Sequence, residues 1–330
     1  MLTAEEITRE AAAAGFQPEP LEKALRLVDL LNAIRGHPFL KNRVALKGGT
    51  ALNLFVFDLP RLSVDLDLNY IGSVDREAML AERPKMEEAL RAVCGRLGFQ
   101  IRRSASEHAG GKWRLSYTDA SGRAGGLSFD LNFLLRTPLW PILPQDSRAI
   151  GSFRAVRVPV LDQHELAAGK LAALFGRRSG RDLFDVHGLL KGVKFERSSL
   201  RLGFVVYGGI SRRDWREISL DDIRADPVEI ERQLLPMLRI RMAPGRSEIK
   251  SWISKLEEET RQLLSMLLPL ESQEREFLTL LNEQGVIAPE LLTPDEGMRK
   301  IIGSHPGLRW KALNVRKHQL SGGDRERTPK

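Results

Sequence analysis

The sequence predicts an α+β protein in which a small mixed sheet with flanking helices precedes a helical C-terminal domain. Polar and apolar side chains alternate along residues 63–70 and 126–135, which is the period of a half-buried strand. After Asp162 the chain changes character and continues in amphipathic helical runs. We therefore expect a mixed α/β domain with N-terminal helices over residues 1–160 and a helical domain over residues 161–330.

The elements of the first half follow from apolar spacing and from turn residues. Gly15 and the prolines near it separate two N-terminal helices. A helix that begins at Gly48 and Gly49 ends before Pro60, because proline disfavours helical backbone in the residue before it. The turn-rich segment 119–126 joins two strands. The predicted helices span 4–14, 19–35, 49–57 and 75–97, and the predicted extended segments span 43–46, 63–70, 112–118, 126–135 and 153–160.

The second half is predicted to be helical. Two helical runs follow Asp162 and are joined at residues 177–180. The last stretch, residues 308–330, has seven Lys or Arg against two acids, and we expect its end to be mobile. Further helices are predicted over 195–206, 228–238, 246–267 and 272–284.

The bulk properties exclude several classes of protein. No apolar stretch approaches the roughly 20 residues that span a bilayer, so we expect no membrane association. The N-terminus lacks a basic region before an apolar core, so it does not resemble a secretory signal, and we expect a cytoplasmic protein. The single cysteine, Cys94, excludes an internal disulfide and a multi-cysteine metal site. A net charge of +8 favours a polyanionic partner, although composition alone supports this only weakly.

Three aspartates predict a site for nucleotide chemistry. Asp65 and Asp67 are two residues apart on one strand, so they share a face about 7 Å apart at the backbone and repel each other unless a cation lies between them. Mg²⁺ takes carboxylate oxygens together with substrate phosphates. If the strand over 126–135 is the neighbour, Asp130 joins them, and three carboxylates suit a two-metal site. The alternative is an exposed strand face that simply carries acids.

The residues around the aspartates are candidates for binding a triphosphate. Gly48 and Gly49 precede a helix whose first N–H groups can bind phosphate, and Thr50 can add a hydroxyl, although a glycine pair is often only a tight turn. The spacing of a Walker A loop is absent. Arg61 and Ser63 come just before the aspartates and can reach phosphate oxygens.

A second group of candidates lies on the two helical runs after Asp162. Lys170 and Asp185 approach each other if these helices pack antiparallel, although a lysine on an apolar helix face can also extend its ammonium group to solvent. Asp182 is a helix-start or supporting residue. Basic side chains that either bind RNA or are merely solvated occur at Arg177, Arg178, Arg181, Arg212, Arg213 and the C-terminal stretch.

Taken together, these motifs resemble those of the AbiEii/AbiGii nucleotidyltransferase toxins, a family of the DNA polymerase β-like nucleotidyltransferase superfamily. The resemblance rests on GGTAL, RLSVDLDL, a later strand aspartate, ELAAGKLAAL and RSGRDLFDVHGLL, which together cover about residues 43–191. It implies that Gly48 and Gly49 form the phosphate-binding turn and that Asp65 and Asp67 form the metal-binding DxD motif. Lys170 matches the essential lysine near the triphosphate and Asp185 the final essential aspartate, and Asp130 fits the third carboxylate by position. The turn reads Gly48-Gly49 where many members of the superfamily carry a GS pair, so the resemblance leaves Thr50, the next residue, to supply the hydroxyl.

The resemblance implies a metal-dependent toxin that acts with Mg²⁺ or Mn²⁺ and uses an NTP as substrate. Members of the family belong to type IV toxin–antitoxin and phage-defence systems, which implies an AbiEi-like antitoxin as partner. Related MenT-type toxins transfer nucleotides to the tRNA 3′ end and thereby block translation. We therefore expect a catalytic domain followed by a helical domain that completes the active site and an RNA-binding cleft.

Two other functions stay open at the level of sequence. The first is a nucleotidyl- or phosphotransferase that modifies a protein hydroxyl. The second is a non-catalytic protein that binds an NTP or RNA.

Overall fold

A computed structural model describes residues 2–103 and 110–323. The chain divides into two compact units, a first unit of residues 1–166 and 226–252 and a second unit of residues 167–225 and 253–330. The division near residue 160 that the sequence predicts lies six residues before the boundary at Leu166. The structure differs from the expected domains in one further respect, because residues 226–252 return to the first unit instead of joining the helical one.

Within the described residues, seven strands form one mixed sheet in the first unit. Their order across the sheet is β3-β4-β5-β2-β1-β7-β6, with β2 parallel to β5, β1 parallel to β7, and the other neighbours antiparallel. The strands are β1 (Val44–Lys47), β2 (Asp65–Tyr70), β3 (Gln100–Arg103), β4 (Gly110–Thr118), β5 (Ala124–Asn132), β6 (Leu143–Gln145) and β7 (Val158–Val160). The sequence analysis did not predict β3 or β6, and only the last three residues of the extended segment 153–160 form a strand.

Helices flank the sheet in the first unit. Other helices make up most of the second unit. The four predicted in the first half are present, although the one that follows β1 begins as an α-helix and continues as a π-helix over Leu52–Val56. The α-helices are α1 (Ala4–Ala14), α2 (Pro18–Gly36), α3 (Gly48–Ala51), α4 (Arg76–Arg96), α5 (Gln163–Arg177), α6 (Gly180–Gly192), α7 (Arg197–Ile210), α8 (Pro227–Glu229), α9 (Ile249–Leu264), α10 (Ser272–Thr279), α11 (Glu296–Ser304) and α12 (Pro306–Gly323).

The two faces of the sheet differ sharply in polarity. Alternation along β4 buries Trp113, Leu115 and Tyr117, and Trp113 stacks on Phe129 of β5 with ring centroids 5.1 Å apart. Helix α4 covers this apolar face, where the guanidinium of Arg91 lies 5.4 Å from the Trp113 ring. The opposite face carries the polar side chains of β2, β4 and β5, because successive strand residues point to opposite sides. The predicted alternation of polar and apolar residues therefore places the core on one face of the sheet and the candidate site on the other.

Backbone hydrogen bonds fasten the returning segment 226–252 to the first unit. The amide of Leu62 donates to the carbonyl of Met237 at 2.8 Å, and the amide of Arg239 donates to the carbonyl of Pro60 at 3.1 Å. These bonds flank a bridge between Arg61 and Leu238. The helix predicted over 228–238 is present as a chain of short helical turns, Pro227–Glu229, Ile230–Leu234 and Leu235–Met237.

The second unit is helical, as predicted, and packs around aromatic side chains. The Trp215 ring is fully buried and lies 5.4 Å from Phe175 and 5.1 Å from Phe204, between ring centroids. Helices α11 and α12 were not predicted, and α12 occupies part of the basic stretch 308–330. The expectation of a mobile C-terminal end concerns residues 324–330, which lie outside the described part of the chain. None of the helices between residues 2 and 323 is long and apolar enough to cross a membrane.

Candidate active site

The pairing of β2 with β5 sets the three predicted aspartates on the polar face of two adjacent strands. The two strands are parallel, with Asp65 opposite Ser128 and Asp67 opposite Asp130. Paired residues on adjacent strands share a face and lie about 4.8 Å apart along the hydrogen-bonding direction. The prediction that the strand carrying Asp130 neighbours the strand carrying Asp65 and Asp67 is therefore confirmed.

Two lysines extend this pairing into a row of four charged residues across the sheet. Lys47 of β1 pairs with Asp67, and Lys112 of β4 pairs with Asp130, so the order across four strands is Lys47, Asp67, Asp130, Lys112. Like charges directly opposite each other destabilise a sheet. The lysines at the ends reduce the net charge of the row, but the two adjacent carboxylates still repel each other at its centre. This centre is where a cation is most favourable.

Gly48 makes room for the Asp67 carboxylate at the start of α3. Its φ angle is +75°, a left-handed conformation that L side chains rarely adopt. A β-carbon at this position would come within 2.1 Å of Asp67 Oδ2. The carboxylate therefore lies directly against the backbone where the first N–H groups of the helix have no intrahelical partner. A phosphate bound at the start of α3 and the Asp67 carboxylate can therefore be ligands of the same cation.

Hydroxyl groups fix the position of Asp65 from two sides. The Ser128 hydroxyl donates to Asp65 Oδ1 at 2.5 Å, and the buried Thr50 hydroxyl donates to the backbone carbonyl of Asp65 at 2.5 Å. Thr50 thus joins α3 to the first residue of β2. The predicted contact of Thr50 with a phosphate stays a prediction, and it requires this bond to be exchanged.

The other candidate phosphate ligands occupy different environments. Gly49 is buried within the turn, and its carbonyl accepts a hydrogen bond from Asn53 Nδ2 at 2.9 Å. Arg61 is only 2% exposed, and its guanidinium donates to the Leu62 carbonyl at 2.9 Å. Ser63 is half-buried just before β2. A role for Arg61 in binding a triphosphate stays a prediction.

The donor set at this site fits a hard divalent cation. Carboxylate oxygens are the protein ligands that Mg²⁺ prefers, usually one or two of them together with waters and substrate phosphates. Across residues 2–103 and 110–323, no three His, Cys, Asp or Glu side chains are gathered closely enough to hold a metal by themselves. The arrangement therefore corresponds to a site that phosphate oxygens complete, with Asp67 and Asp130 as the nearest pair.

A second cluster of charges lies within the second unit. The Lys170 ammonium is 2.7 Å from Asp185 Oδ2 and 2.9 Å from Asp182 Oδ1, and all three side chains are buried. Arg177, whose side chain is 64% exposed, donates to Asp182 at 2.5 and 3.0 Å. The predicted approach of Lys170 to Asp185 is confirmed. The alternative, in which the Lys170 ammonium extends to solvent, is wrong because Lys170 is only 7% exposed and its ammonium is paired with Asp182 and Asp185.

Asp182 is more than the helix-start residue that the sequence suggests. Burial by itself raises the pKa of Asp182, but the charges of Lys170 and Arg177 outweigh burial and lower it to about 2. Asp182 is therefore ionised at neutral pH and shares the Lys170 ammonium with Asp185. The positions of Lys170 before the turn and Asp185 after it were the signal for this cluster, but the part that Asp182 takes depends on side-chain packing.

Sequence reasoning missed Lys47 and Lys112 as the ends of the charged row. Lys112 alternates with the buried Trp113 along β4, so the alternation in the sequence already indicated that Lys112 lies on the polar face. What the sequence lacked was the register that sets Lys112 opposite Asp130 and Lys47 opposite Asp67.

Comparison with known proteins agrees with this geometry. The family model for the nucleotidyl transferase AbiEii toxin of type IV toxin–antitoxin systems matches residues 29–282. Among solved structures, the fold is similar to that of MenT4, a nucleotidyltransferase toxin from Mycobacterium tuberculosis H37Rv, with a TM-score of 0.62, 18% sequence identity, and coverage of 94% of this chain and 99% of that chain. No curated protein sequence matches this chain. The likeness to MenT4 confirms the predicted α+β fold, and the family match covers both candidate clusters. The chain belongs to the AbiEii family of nucleotidyltransferase toxins of type IV toxin–antitoxin systems.

Proposed function

We propose that this toxin transfers a nucleoside monophosphate from an NTP to the 3′-hydroxyl of an RNA, with tRNA as the acceptor, and so blocks translation. The observation that carries the proposal is the pairing of Asp67 with Asp130 beside the Gly48 turn. It sets two carboxylates next to helix N–H groups suited to phosphate.

Each candidate site residue of the first unit that is named below has a defined role in this transfer. Asp65, Asp67 and Asp130 hold Mg²⁺ or Mn²⁺, which when bound neutralises charge on the triphosphate and acidifies the attacking hydroxyl. The N–H groups that follow Gly48 bind the phosphates. Asp130 lies at the far side of Asp67 from this turn and accepts the proton of the acceptor hydroxyl. The new bond joins the acceptor oxygen to the α-phosphorus while the bond from that phosphorus to pyrophosphate breaks.

Lys170 is the lysine proposed to hold the triphosphate, and within the second unit it is paired with two carboxylates. Its buried ammonium lies 2.7 Å from Asp185 Oδ2 and 2.9 Å from Asp182 Oδ1. Asp185 then acts as a positioning residue for Lys170. The assignment of this lysine to the triphosphate rests on the resemblance of the motif.

Family membership supports part of the cellular role. A type IV toxin implies an NTP substrate and an antitoxin partner. We assign the antitoxin to the AbiEi-like class, the compartment to the cytoplasm and the biological role to phage defence.

The decisive experiment incubates the full chain with total tRNA, Mg²⁺ and an NTP labelled with ³²P at either the α or the γ position. Nucleotidyl transfer to RNA requires that the α label, and not the γ label, enters the RNA band. The variant Asp65→Ala/Asp67→Ala should lose labelling. A matched control, Glu77→Ala/Glu88→Ala, removes two exposed carboxylates from α4 on the apolar side of the sheet and should label like the wild type.

The other outcomes are equally informative. Transfer of the γ label means phosphotransfer, and an α label on protein means a protein hydroxyl as acceptor. Bound NTP without any product in Mg²⁺ and Mn²⁺ means a non-catalytic binding protein. Equal labelling by the wild type and the Asp65→Ala/Asp67→Ala variant would refute the metal assignment.

A further inference from the structure

The polar face of the sheet continues past the aspartates as a basic surface on β4 and β3. Lys112 and Arg114 are exposed, alternate with the buried Trp113, and pair with Asp130 and Ser128 of β5. Arg102 of β3 is also exposed, and its Nε donates to Ser116 Oγ of β4 at 3.0 Å, which fixes it to the same face. We name Arg102, Lys112 and Arg114 the basic strand surface.

The cations of this surface are available for an outside ligand. Among the described residues, neither Lys112 nor Arg114 forms an ion pair, whereas the helical arginines Arg26, Arg83 and Arg201 each have a carboxylate partner. Lys112 and Arg114 are two residues apart on one strand, so their side chains emerge about 7 Å from each other. Exposed cations at regular spacing along a strand fit a polyanion better than they fit a folded acidic protein.

The chemistry of the transfer indicates which polyanion would bind the basic strand surface. In an in-line displacement the attacking oxygen and the leaving pyrophosphate stand on opposite sides of the phosphorus. The phosphate-binding turn at Gly48 adjoins β1 and β2, at one end of the charged row. Asp130 is next along the row, and Lys112 stands beyond it. With the leaving pyrophosphate at the turn, an acceptor that attacks from the opposite side approaches from β4, across the basic strand surface.

We infer that the basic strand surface binds the phosphodiester backbone of the acceptor RNA just upstream of its 3′ end. This inference rests on the proposed function, and it names the surface through which the acceptor reaches Asp130. Contacts to phosphates position a strand without reading its bases. The surface therefore sets the path of the RNA end and contributes little to the choice of sequence.

The test replaces Lys112 and Arg114 by glutamine in the full chain. The matched control is Arg76→Gln/Arg96→Gln, which removes two exposed cations from the ends of α4 on the apolar side of the sheet. For Lys112→Gln/Arg114→Gln we expect KM for RNA to rise about tenfold and KM for the NTP to stay within about twofold of wild type. The dependence of RNA binding on log salt should weaken by about 1.4, since each contact to a single strand contributes about 0.7.

A single variant and a binding assay keep the test independent of the carboxylates. Arg114 stands opposite Ser128 and not opposite an acid, so Arg114→Gln should raise KM for RNA without changing kcat. Binding of a labelled RNA without NTP, measured by fluorescence anisotropy, should weaken in both variants and not in the control.

The outcomes separate this inference from the proposed function. If the wild type transfers nucleotides to RNA but Lys112→Gln/Arg114→Gln behaves like the control, the surface assignment is overturned. Equal increases in KM for RNA and for the NTP overturn it as well. If the wild type labels no RNA, the proposed function fails, and weaker RNA binding by the variants alone would still support the surface.

Discussion

Replacing Gly48 by alanine tests whether the Asp67 carboxylate has to lie where the sheet and the turn hold it. The new β-carbon would fall 2.1 Å from Asp67 Oδ2 and 3.0 Å from Asp67 Cβ. Normal contact needs about 3.5 Å, so the carboxylate must move by about 1.4 Å. The backbone adds its own cost of about 1–2 kcal/mol, because alanine is strained at a φ angle of +75°.

The movement matters more for activity than for folding. A misplacement of about 1 Å in a reacting group can reduce the rate about a hundredfold. We therefore expect Gly48→Ala to lose about 1–2 kcal/mol in the free energy of unfolding, measured in urea, and about a hundredfold in nucleotidyl transfer to RNA, measured with the α-labelled NTP.

Gly98 supplies a matched control for backbone strain. Its φ angle is +78°, and a β-carbon there would meet no atom within 4 Å. Gly98→Ala should lose a similar free energy of unfolding and keep the activity of the wild type. If Gly48→Ala retains activity within about threefold of Gly98→Ala at equal folded fraction, the position of Asp67 does not limit the reaction and the reasoning fails.

Three further predictions concern the two charged clusters. Lys170→Met should lower the free energy of unfolding by about 3–5 kcal/mol in urea, because Asp182 and Asp185 stay buried without their cation, and a loss below about 1 kcal/mol would contradict this. Because the folded-state pKa of Asp182 is about 2 and its ordinary value is 3.8, the carboxylate stabilises the fold above about pH 5 by about 2 kcal/mol, and this is lost as the pH falls from about 4 to 2. Acid unfolding of Asp182→Asn should lack that step, and a curve identical to the wild type would refute the assignment. Mg²⁺ should raise the thermal midpoint of the wild type but not of Asp67→Asn/Asp130→Asn, as binding to the folded state requires, and equal shifts would mean that the metal binds elsewhere.

The sequence was most informative where local geometry decides the outcome. The alternation around Asp65 and Asp67 predicted a strand with both carboxylates on one face, and β2 has that form. The same reasoning predicted the strands on either side of the turn 119–126, which pair as β4 and β5. It also predicted that Lys170 meets Asp185 across a helical hairpin, since the turn is short and the two residues lie at comparable distances from it.

Prediction was weaker where a segment has little pattern of its own. The strands β3 and β6 have four and three residues, too few for a period to be recognised. The segment 226–252 has the pattern of the helical second half. It belongs to the first unit, because backbone hydrogen bonds near Arg61 hold it there. Such bonds depend on residues far apart in the chain, and side-chain periodicity carries no information about them.

The sequence by itself determined which side chains share a face, because a strand turns its residues to opposite sides whatever its neighbours are. It determined in this way that Asp65 and Asp67 point together and that Asp130 stands apart from the apolar core. Only the tertiary structure decided that β5 lies beside β2 with Asp130 opposite Asp67, and that lysines end the row. Register between strands separated by some sixty residues is set by the packing of the apolar face beneath them, and that packing exists only in the folded chain.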